Sequence, residues 1–416
     1  MKRVALAVLA ALAFVAACTP AKKKPDEIVF WEFWPADVIT PLVRQFEAEN
    51  PGKHVRIEQL TWDNGRDKIT AAVAAGQPPD LCELGSTYMP RFLASGALSD
   101  WSAGVADLRD SLRGWELCKV GDAIYGMPWV LGTRALFYNK TLFAKAHLDS
   151  TKPPETWDEL YAACARIQQL GHGVHGYGVS LNDRQKLFKK FMPFAWGNGG
   201  EILSAGLDSS RFDSPQNVEA LEFYLKLRKV GMLGLQDALD QEFKEGRLGL
   251  QISGAWLFRK IPKQAPTLNY GVSFVPRPAA DKGTHASFAG GEILTSFAAS
   301  KNHAGAWRLA RFLASRDAAL MLAKANQSVQ PAARGAESDA YYLERPKERV
   351  MVMQLALAVP TPNHPAWLDM EAAIEDEVEK ALYGKASAAA AIKSASDRID
   401  TLAKGTGPKT AETPAR

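Results

Sequence analysis

In residues 28–84, short runs of apolar residues alternate with segments in which apolar residues recur at helical spacing. Buried runs of four to six residues indicate strands, and apolar residues three and four apart indicate helices. The predicted elements are a strand at Ile28–Trp31, a helix capped by Thr40 with Pro41 at its first position, a strand at Val55–Leu60, a helix ending near Gly76 and a strand at Pro79–Leu84. This βαβαβ order predicts an α/β protein with a doubly wound sheet.

A second unit with the same alternation begins after Trp129. Thr156 and Glu159 form a capping-box spacing that predicts a helix start. Lys404 begins a Gly-, Pro-, Thr- and Lys-rich end, which we expect to be a disordered tail over residues 404–416. The other predicted elements are a strand at Arg134–Tyr138, a helix at Val218–Val230 behind Ser214-Pro215, a strand at Leu248–Ile252, and helices at Asn302–Ala314 and Trp367–Leu382.

The first 26 residues have the pattern of an export signal. Met1-Lys2-Arg3 is basic, Val4–Ala17 has no charged or polar side chain, and Cys18 ends the apolar run. Such a run is too short for a stable membrane span. Val15-Ala16-Ala17-Cys18 resembles a bacterial lipobox, which predicts a signal peptide at 1–17, a lipid on Cys18 and a tether at 18–26. The alternative is an ordinary signal peptide with an incidental cysteine.

Charge and cysteine content narrow the protein class. The formal net charge is +4, but the basic residues are not concentrated in one patch, so we expect no nucleic-acid partner. Beyond the signal, no apolar run has the length of a membrane span. Three cysteines remain after Cys18, and their odd number and scattered spacing do not form a disulfide framework. They are Cys82, Cys118 and Cys164.

Motifs for catalysis and cofactors are largely absent from the sequence. Gly171–Gly176 fits G-x-G-x-x-G, but these glycines follow a predicted helix instead of a strand, so we interpret them as a helix stop and loop. His172 and His175 in that loop have no acidic or thiol neighbour to complete a metal site. We therefore expect no cofactor and no metal. A glycosidase pair could still be hidden among the 46 acidic residues, so an enzyme stays an alternative.

Tryptophan is the unusual positive feature, with 11 residues. An indole offers a flat apolar face with an N–H at its edge, which suits the C–H faces and hydroxyl rim of a sugar. Trp157 and Trp307 occupy helical positions and are expected to be structural. Six others stand at predicted strand ends, loops or helix starts, where a cleft would collect them: Trp31, Trp34, Trp62, Trp196, Trp256 and Trp367.

The order of several short motifs resembles the carbohydrate-binding lipoproteins of bacterial ABC importers, which are related to maltose-binding protein (extracellular solute-binding protein family 1). Each motif alone is weak, but their colinear order covers nearly the whole chain after the signal. They are Ala75–Leu81, Gly96–Leu98, Gly121–Pro128, Tyr138–Lys140, Pro154–Trp157, Phe243–Gly246, Ser253–Trp256 and Gly290-Gly291.

This resemblance implies a two-lobed periplasmic-binding-protein fold with a central ligand cleft and three hinge crossings. The crossings are expected near Gly132–Phe137, Ser287–Leu294 and Val329–Arg334. Lobe 1 would then comprise residues 27–133 and 290–330, and lobe 2 would comprise 134–289 and 331–403. Closure of such a cleft around a ligand requires that the ligand bind the closed state better than the open state.

The resemblance also implies ligand-binding residues. Trp256 matches the Gly-x-Trp position whose indole stacks on a sugar, and Glu83 ends the strand that follows Pro79-Asp80. Leu84 replaces an aromatic residue of maltose-type members, which weighs against maltodextrin as the ligand. The full set of candidate ligand-binding residues is Trp34, Trp62, Glu83, Trp196, Asn198, Trp256, Gly291, Glu292, Arg334 and Trp367.

The function implied is a non-enzymatic receptor, outside the cytoplasm, that binds a mono- or oligosaccharide and delivers it to the permease subunits of an ABC importer. We expect a monomer held to a membrane by its N-terminal lipid. The rival ligands are a phosphorylated glycerol or sugar, a polyamine and a peptide. A phosphate ligand would need a cluster of Arg and Lys in the cleft.

Overall fold

The computed structural model describes residues 26–62, 64–181 and 183–405. The predicted signal peptide, Cys18 and residues 18–25 of the tether lie outside the described residues, as do residues 406–416 of the predicted tail. Residues 404 and 405, assigned to that tail, belong to the last helix. Among the described residues, no helix combines the length and apolar character needed to cross a membrane.

The strands form two separate mixed sheets, one in each lobe. In chain order they are β1 (Glu27–Glu32), β2 (His54–Gln59), β3 (Leu81–Gly85), β4 (Lys119–Val120), β5 (Ala123–Ile124), β6 (Met127–Gly132), β7 (Ala135–Asn139), β8 (His175–Ser180), β9 (Gly231–Gly234), β10 (Leu248–Ser253), β11 (Tyr270–Ser273), β12 (Ser287–Thr295), β13 (Gln330–Pro331) and β14 (Ala358–Pro360). β4 and β5 make a separate two-stranded ribbon.

The helices cover both sheets. In chain order they are α1 (Ala36–Glu49), α2 (Gly65–Ala74), α3 (Met89–Ala94), α4 (Lys140–Lys145), α5 (Trp157–Gln168), α6 (Phe188–Gly197), α7 (Pro215–Arg228), α8 (Gln236–Lys244), α9 (Trp256–Gln264), α10 (His303–Leu313), α11 (Arg316–Asn326), α12 (Ala340–Leu343), α13 (Pro346–Leu355), α14 (Trp367–Leu382) and α15 (Ala388–Gly405). Five short 3₁₀ turns are also described, one of which, Ser86–Tyr88, follows β3.

The first-lobe sheet has the order β13–β6–β12–β3–β1–β2, with β14 beside β12. β1 pairs in parallel with β2 and β3, whereas β12 runs antiparallel to both β3 and β6. The carboxyl ends of β1 and β3 therefore point the same way, and the turns that follow them meet at one edge of the sheet. That edge faces the second lobe.

The second-lobe sheet has the order β11–β7–β10–β8–β9. β8 pairs in parallel with β9 and β10, and β7 runs antiparallel to β10 and β11. The apolar faces of α5, α6 and α7 pack in this lobe's core together with α14 and α15. The predicted mixed α/β fold with two lobes is confirmed.

Local capping signals explain several helix starts. Thr156 and Glu159 form the predicted capping box of α5, and Ser214 caps α7 with Pro215 at its first position. The predicted start of α1 at Thr40 is wrong, because the helix begins at Ala36 and includes Pro41. Pro41 is exposed, so water can bond the carbonyl that lacks its N–H partner.

The chain passes between the lobes three times. The first passage runs from β6 to β7 through Thr133 and Arg134, and the second is β12 itself, whose residues 287–289 pair with β14 before 290–294 pair with β6. Both lie where the sequence predicts. The predicted third passage at Val329–Arg334 is wrong, because β13 pairs with β6 and residues 332–342 pack in the first-lobe core.

The third passage instead follows α12 and runs through α13, which packs against both lobes, since Val352 of α13 lies in the first-lobe core. Tyr341 and Tyr342 of α12 are buried in the core of the first lobe, whereas Met351 of α13 packs in a cluster with β7 and α9 of the second. The predicted lobe boundary at residue 331 comes too early, since the chain still packs in the first-lobe core at Tyr341 and Tyr342.

Candidate functional site

A cleft of about 710 Å³ separates the two lobes and is lined by residues of both. The first lobe contributes the turn after β3, the end of β6 and part of β12, and the second contributes the start of α6, α8 and α9. Residues that line it include Trp34, Trp62, Gly85, Ser86, Tyr88, Arg134, Asp183, Arg184, Gln185, Lys186, Lys189, Gln236, Asp237, Trp256, Lys260, Phe288, Gly291, Glu292 and Gln330.

Two tryptophans form the first-lobe side of the cleft. Trp62 is 50% exposed and stacks on Phe33, with ring centroids 4.2 Å apart and an interplanar angle of 16°. The backbone N–H of Phe33 donates to Glu83 Oε2 over 2.8 Å, so Glu83 holds the platform beneath Trp62. Trp34 follows β1 and meets the core residue Trp129 edge-on at 6.2 Å. These contacts fix both indoles before any ligand binds.

Trp256 forms the aromatic surface of the second lobe. It is the first residue of α9, and its Nε1 donates to the buried Asp240 Oδ2 over 2.7 Å. Asp240 also accepts from Gln236 (2.8 Å) and Ser253 (3.2 Å), so its carboxylate is itself held in place. A Cβ on Gly254 would lie 1.9 Å from the Trp256 ring, which explains why glycine precedes this turn. The indole is therefore locked in one orientation.

Three carboxyl groups lie on the first-lobe side of the cleft or just behind it. Burial raises the pKa of Glu32 to about 7 and, together with the nearby Glu292 charge, raises the pKa of Glu83 well above its usual range. Burial also raises the pKa of Glu292 to about 7, although Lys189 and Arg134 oppose that shift. These carboxyls can thus be protonated near neutral pH and act as hydrogen-bond donors.

Cationic side chains form much of the second-lobe wall. Arg134, Arg184, Lys186, Lys189 and Lys260 all line the cleft. Burial lowers the pKa of Arg134 to about 10 and also lowers the pKa of Lys189. The guanidinium carbon of Arg134 lies 4.8 Å from the Trp256 ring centroid, which is a cation–π distance. The cleft therefore combines aromatic planes with positive charge.

One hydrogen bond joins the lobes directly across the cleft. Tyr88, in the turn after β3, donates its hydroxyl to Gln185 Oε1 over 2.8 Å. Gln185 precedes α6, and its own backbone N–H donates to Glu375 of α14 over 3.1 Å. This contact can form only when the lobes are close together.

Five of the candidate ligand-binding residues line the cleft. They are Trp34, Trp62, Trp256, Gly291 and Glu292. Glu83 is fully buried behind the first-lobe wall. Its carboxyl accepts from the backbone N–H of Phe33, the residue on which Trp62 stacks. Gly291 lies against β6, where a Cβ would meet Val130 O at 2.1 Å.

The structure places the other four candidates outside the cleft. Trp196 and Trp367 are buried in the second-lobe core, edge-on to Phe188 at centroid distances of 5.6 and 5.2 Å. Asn198 ends α6 and donates to Gln216 O and Glu219 Oε2. Arg334 donates to Leu112 O on the first lobe. Each has a structural partner that accounts for its position.

Several residues that line the cleft were not predicted from the sequence. Arg134 stands in the predicted first crossing, and Lys189 belongs to a lysine pair inside the apolar segment 187–197. A charged pair within an otherwise buried helix was a usable signal, because such charges need partners. Tyr88, Gln185 and Phe288 gave no signal in the sequence, and Tyr88 meets Gln185 only where the two lobes approach each other.

The arrangement suits a polar solute with flat apolar faces. Three indoles offer stacking surfaces, and carboxyl, amide, hydroxyl and cationic groups are available at their edges. Among the described residues, no group of three or more histidine, cysteine, aspartate or glutamate side chains could hold a metal ion. The cysteines 82, 118 and 164 are buried and free.

Comparison with known proteins agrees with this geometry. The sequence model of the family described as bacterial extracellular solute-binding protein matches residues 33–320. A solute-binding protein of an ABC transporter from Thermotoga lettingae, bound with alpha-D-tagatose, superposes with a TM-score of 0.81 at 26% identity, over 91% of this chain and 100% of that one.

Two further proteins show the same similarity. The cyclic alpha-maltosyl-1,6-maltose binding protein of Arthrobacter globiformis also gives a TM-score of 0.81 at 26% identity, over 92% of this chain and 100% of that one. A galactooligosaccharide-binding protein of Bacillus subtilis is 25% identical over 94% of this chain and 93% of its own length.

Proposed function

This chain belongs to the bacterial extracellular solute-binding protein family, whose members are binding proteins and not enzymes, and from that premise we propose that it is a carbohydrate receptor. It acts outside the cytoplasm as the solute-binding protein of an ABC transporter. In this proposal its two lobes close on a mono- or oligosaccharide and present it to the permease subunits.

The observation that carries this proposal is the aromatic lining of the interlobe cleft. Trp34 and Trp62 face it from the first lobe, and Trp256 faces it from the second. A sugar held between these lobes would contact both walls only in the closed state. Differential affinity of this kind is what a ligand needs to drive closure.

The ligands of the similar proteins support the same class of solute. They are tagatose, a cyclic maltosyl-maltose and galactooligosaccharides. They differ in size and linkage, so they favour carbohydrate as the class and leave the particular sugar open.

We further propose that a lipid on Cys18 anchors the receptor close to its transporter. The support is the sequence Val15-Ala16-Ala17-Cys18 at the end of a short apolar run. Metabolic labelling with an alkyne-tagged palmitate in a bacterial host would test it. We expect label on the wild type and none on Cys18→Ser, and label on both would contradict the proposal.

The receptor function is tested by thermal shift and calorimetry over a panel of mono- and disaccharides. We expect at least one to raise the melting temperature and to bind with one site per chain. Trp62→Ala should weaken that binding about tenfold or more, since aromatic contacts of this kind contribute about 1–2 kcal/mol. Trp115→Ala, a tryptophan away from the cleft, serves as the control. Absence of binding to every sugar would refute the proposal.

A further inference from the structure

Five cations line the cleft, and they differ in whether a carboxylate neutralises them. Arg184 pairs with Asp376 at 2.7 Å, Lys186 with Asp183 at 2.9 Å and Lys260 with Asp237 at 3.3 Å. Within the part of the chain that the structure describes, neither Arg134 nor Lys189 has a carboxylate oxygen within 4 Å. These two cations are the ones available to a ligand.

Arg134 and Lys189 both line the cleft, and both lie beside Phe288. The guanidinium carbon of Arg134 lies 5.4 Å from the Phe288 ring centroid, and Lys189 Nζ lies 5.0 Å from the same centroid. Both side chains therefore lie near the same aromatic ring, which itself lines the cleft. They come from separate elements, the first interlobe passage and α6, and after burial the nearby charge of Arg134 also lowers the pKa of Lys189.

The hydrogen-bonding capacity of Arg134 is largely unused. One terminal nitrogen donates to Thr133 O over 2.9 Å, while Nε is buried and has no partner among the described residues. A guanidinium presents its donors in a planar fork that matches the two oxygens of a carboxylate or phosphate. The cleft thus offers an unfilled fork beside the ring of Trp256.

The acidic groups that face this pair do not remove its charge. Glu292 faces both cations, Asp240 lies near Arg134, and Glu371 and Glu375 of α14 lie near Lys189. Burial raises the pKa values of Glu292 and Glu371 to about 7, so part of their negative charge is absent at neutral pH. Asp240 is already engaged by Trp256, Gln236 and Ser253.

A third basic side chain, Lys190, lies behind this pair, and burial lowers the pKa of its ammonium well below the usual value. Its ammonium donates to the carbonyl of Ile252 and lies 5.7 Å from the Trp256 ring centroid. Cations withdrawn from water without a paired carboxylate are costly. An anionic group in the cleft would compensate that cost when the lobes close.

We infer that the ligand of this cleft is an acidic carbohydrate, a sugar that carries a carboxylate or a phosphate, with its anionic group between Arg134 and Lys189. The inference rests on the proposed function and adds the chemical class of the sugar. The sugar ring lies against Trp256 or Trp62 in this arrangement. A neutral sugar would leave the two cations without a charged partner.

The first test compares matched neutral and acidic sugars by calorimetry. The probes are glucose and galactose, their uronates and their 6-phosphates, each titrated into the wild-type protein at low and at high NaCl. We expect one acid to bind about 10–100-fold more tightly than its neutral parent, because a charge-assisted contact contributes that much. Its affinity should fall with salt. The uronate and phosphate arms distinguish the two acids.

Arg134→Gln and Lys189→Gln should each remove most of the preference for the acid over its neutral parent. Lys282→Gln is the matched control, since it removes one lysine of the second lobe that pairs with Glu219 outside the cleft. Equal or tighter binding of the neutral parents would overturn the inference and leave the carbohydrate receptor standing. Absence of binding to any of the sugars would overturn both.

A second measurement does not depend on the choice of sugar. Inorganic phosphate or sulfate, compared with NaCl at equal ionic strength, should raise the melting temperature of the wild type by mass action. The same anions should have no such effect on Arg134→Gln/Lys189→Gln, whose own melting temperature and circular dichroism report whether it folds. Equal shifts in the wild type and the double variant would contradict an anion subsite at these residues.

Discussion

At the residue scale, Asp240 holds the Trp256 indole in its orientation at the cleft without lining the cleft itself. Its carboxylate receives the indole N–H over 2.7 Å and is held by Gln236 and Ser253. Asp240→Ala should weaken sugar binding about tenfold, because the indole loses a charge-assisted bond of roughly 1.5–3 kcal/mol and gains rotational freedom. Asp240→Asn keeps an acceptor and should recover much of the affinity, as measured by calorimetry.

A distant carboxylate gives the matched control for this prediction. Asp208 also lies in the second lobe and accepts from Ser204 and Ser209, but it does not line the cleft. Asp208→Ala should leave the affinity unchanged. An Asp240→Ala protein with wild-type affinity would show that Trp256 keeps its orientation without this bond.

Glu32 should make the stability of the first lobe depend on pH. Its folded-state pKa of about 7 lies above the ordinary value of 4.5 because it is buried. Between these values the folded protein keeps a proton that the unfolded chain releases. The stabilisation is therefore fully present below pH 4.5 and is lost as the pH rises through 7.

The comparison that isolates this effect is Glu32→Gln against the wild type. The difference in free energy of unfolding between pH 5 and pH 8 should be smaller in the variant by on the order of 1–3 kcal/mol. Urea unfolding at pH 5, 6, 7 and 8 measures it, with the exposed Glu49→Gln as control. An unchanged pH slope in Glu32→Gln would mean that this carboxyl is ionised in the folded protein.

At the element scale, β12 is both a sheet strand and the second passage between the lobes. Gly291 lies in that strand, and a Cβ there would meet the backbone oxygen of Val130 at 2.1 Å, a clash that no side-chain rotation relieves. Gly291→Ala should destabilise the protein by about 1–3 kcal/mol by forcing β12 away from β6. Thermal and denaturant unfolding measure the loss.

Gly132 provides the matched position on the neighbouring strand. It ends β6 at the first passage, and a Cβ there would have Gly290 O as its neighbour at an ordinary 3.8 Å. Gly132→Ala should therefore keep the wild-type melting temperature. A Gly291→Ala protein as stable as Gly132→Ala would indicate that β12 shifts at little cost.

The same elements show what could be predicted from sequence and why the rest could not. Helices with local capping signals, such as α5 behind Thr156, were placed correctly because the signal lies within four residues. The start of α1 was missed because its N-cap, Pro35, makes no side-chain capping bond. The third passage was misplaced because β13 is a two-residue strand whose partner, β6, is about 200 residues away.

The residues of the candidate site also divide into those that local sequence could predict and those that it could not. The position of Trp34 and Trp62 at the cleft could be predicted because the ends of parallel strands converge at one sheet edge. Trp196 and Trp367 also stand at loop or helix-start positions, but their rings turn inward onto Phe188. The position of a residue in the sequence does not determine this direction of its side chain. The convergence of Arg134 and Lys189 depends on two elements that are distant in sequence.

At the scale of the whole molecule, the two lobes are joined by three passages and touch across the cleft through Tyr88 and Gln185. A receptor of this kind exchanges between open and closed states, and its apparent affinity depends on the population of the closed one. Tyr88→Phe removes the bridging hydroxyl while keeping the ring. Loss of about 1 kcal/mol from the closed state should weaken ligand binding roughly fivefold.

Distance measurement separates this effect from a lost ligand contact. Spin labels at Asp67 in the first lobe and Leu235 in the second, both exposed, report the separation of the lobes by electron paramagnetic resonance. A saturating sugar should shorten the distance in the wild type. In Tyr88→Phe the ligand-free distribution should shift to longer distances, because the bridge no longer favours closure. If the ligand-free distance distribution stays the same while the affinity falls, the Tyr88 hydroxyl acts on the sugar directly. Other contacts then stabilise the closed state, and the approach of Lys189 to Glu292 is the next one to test.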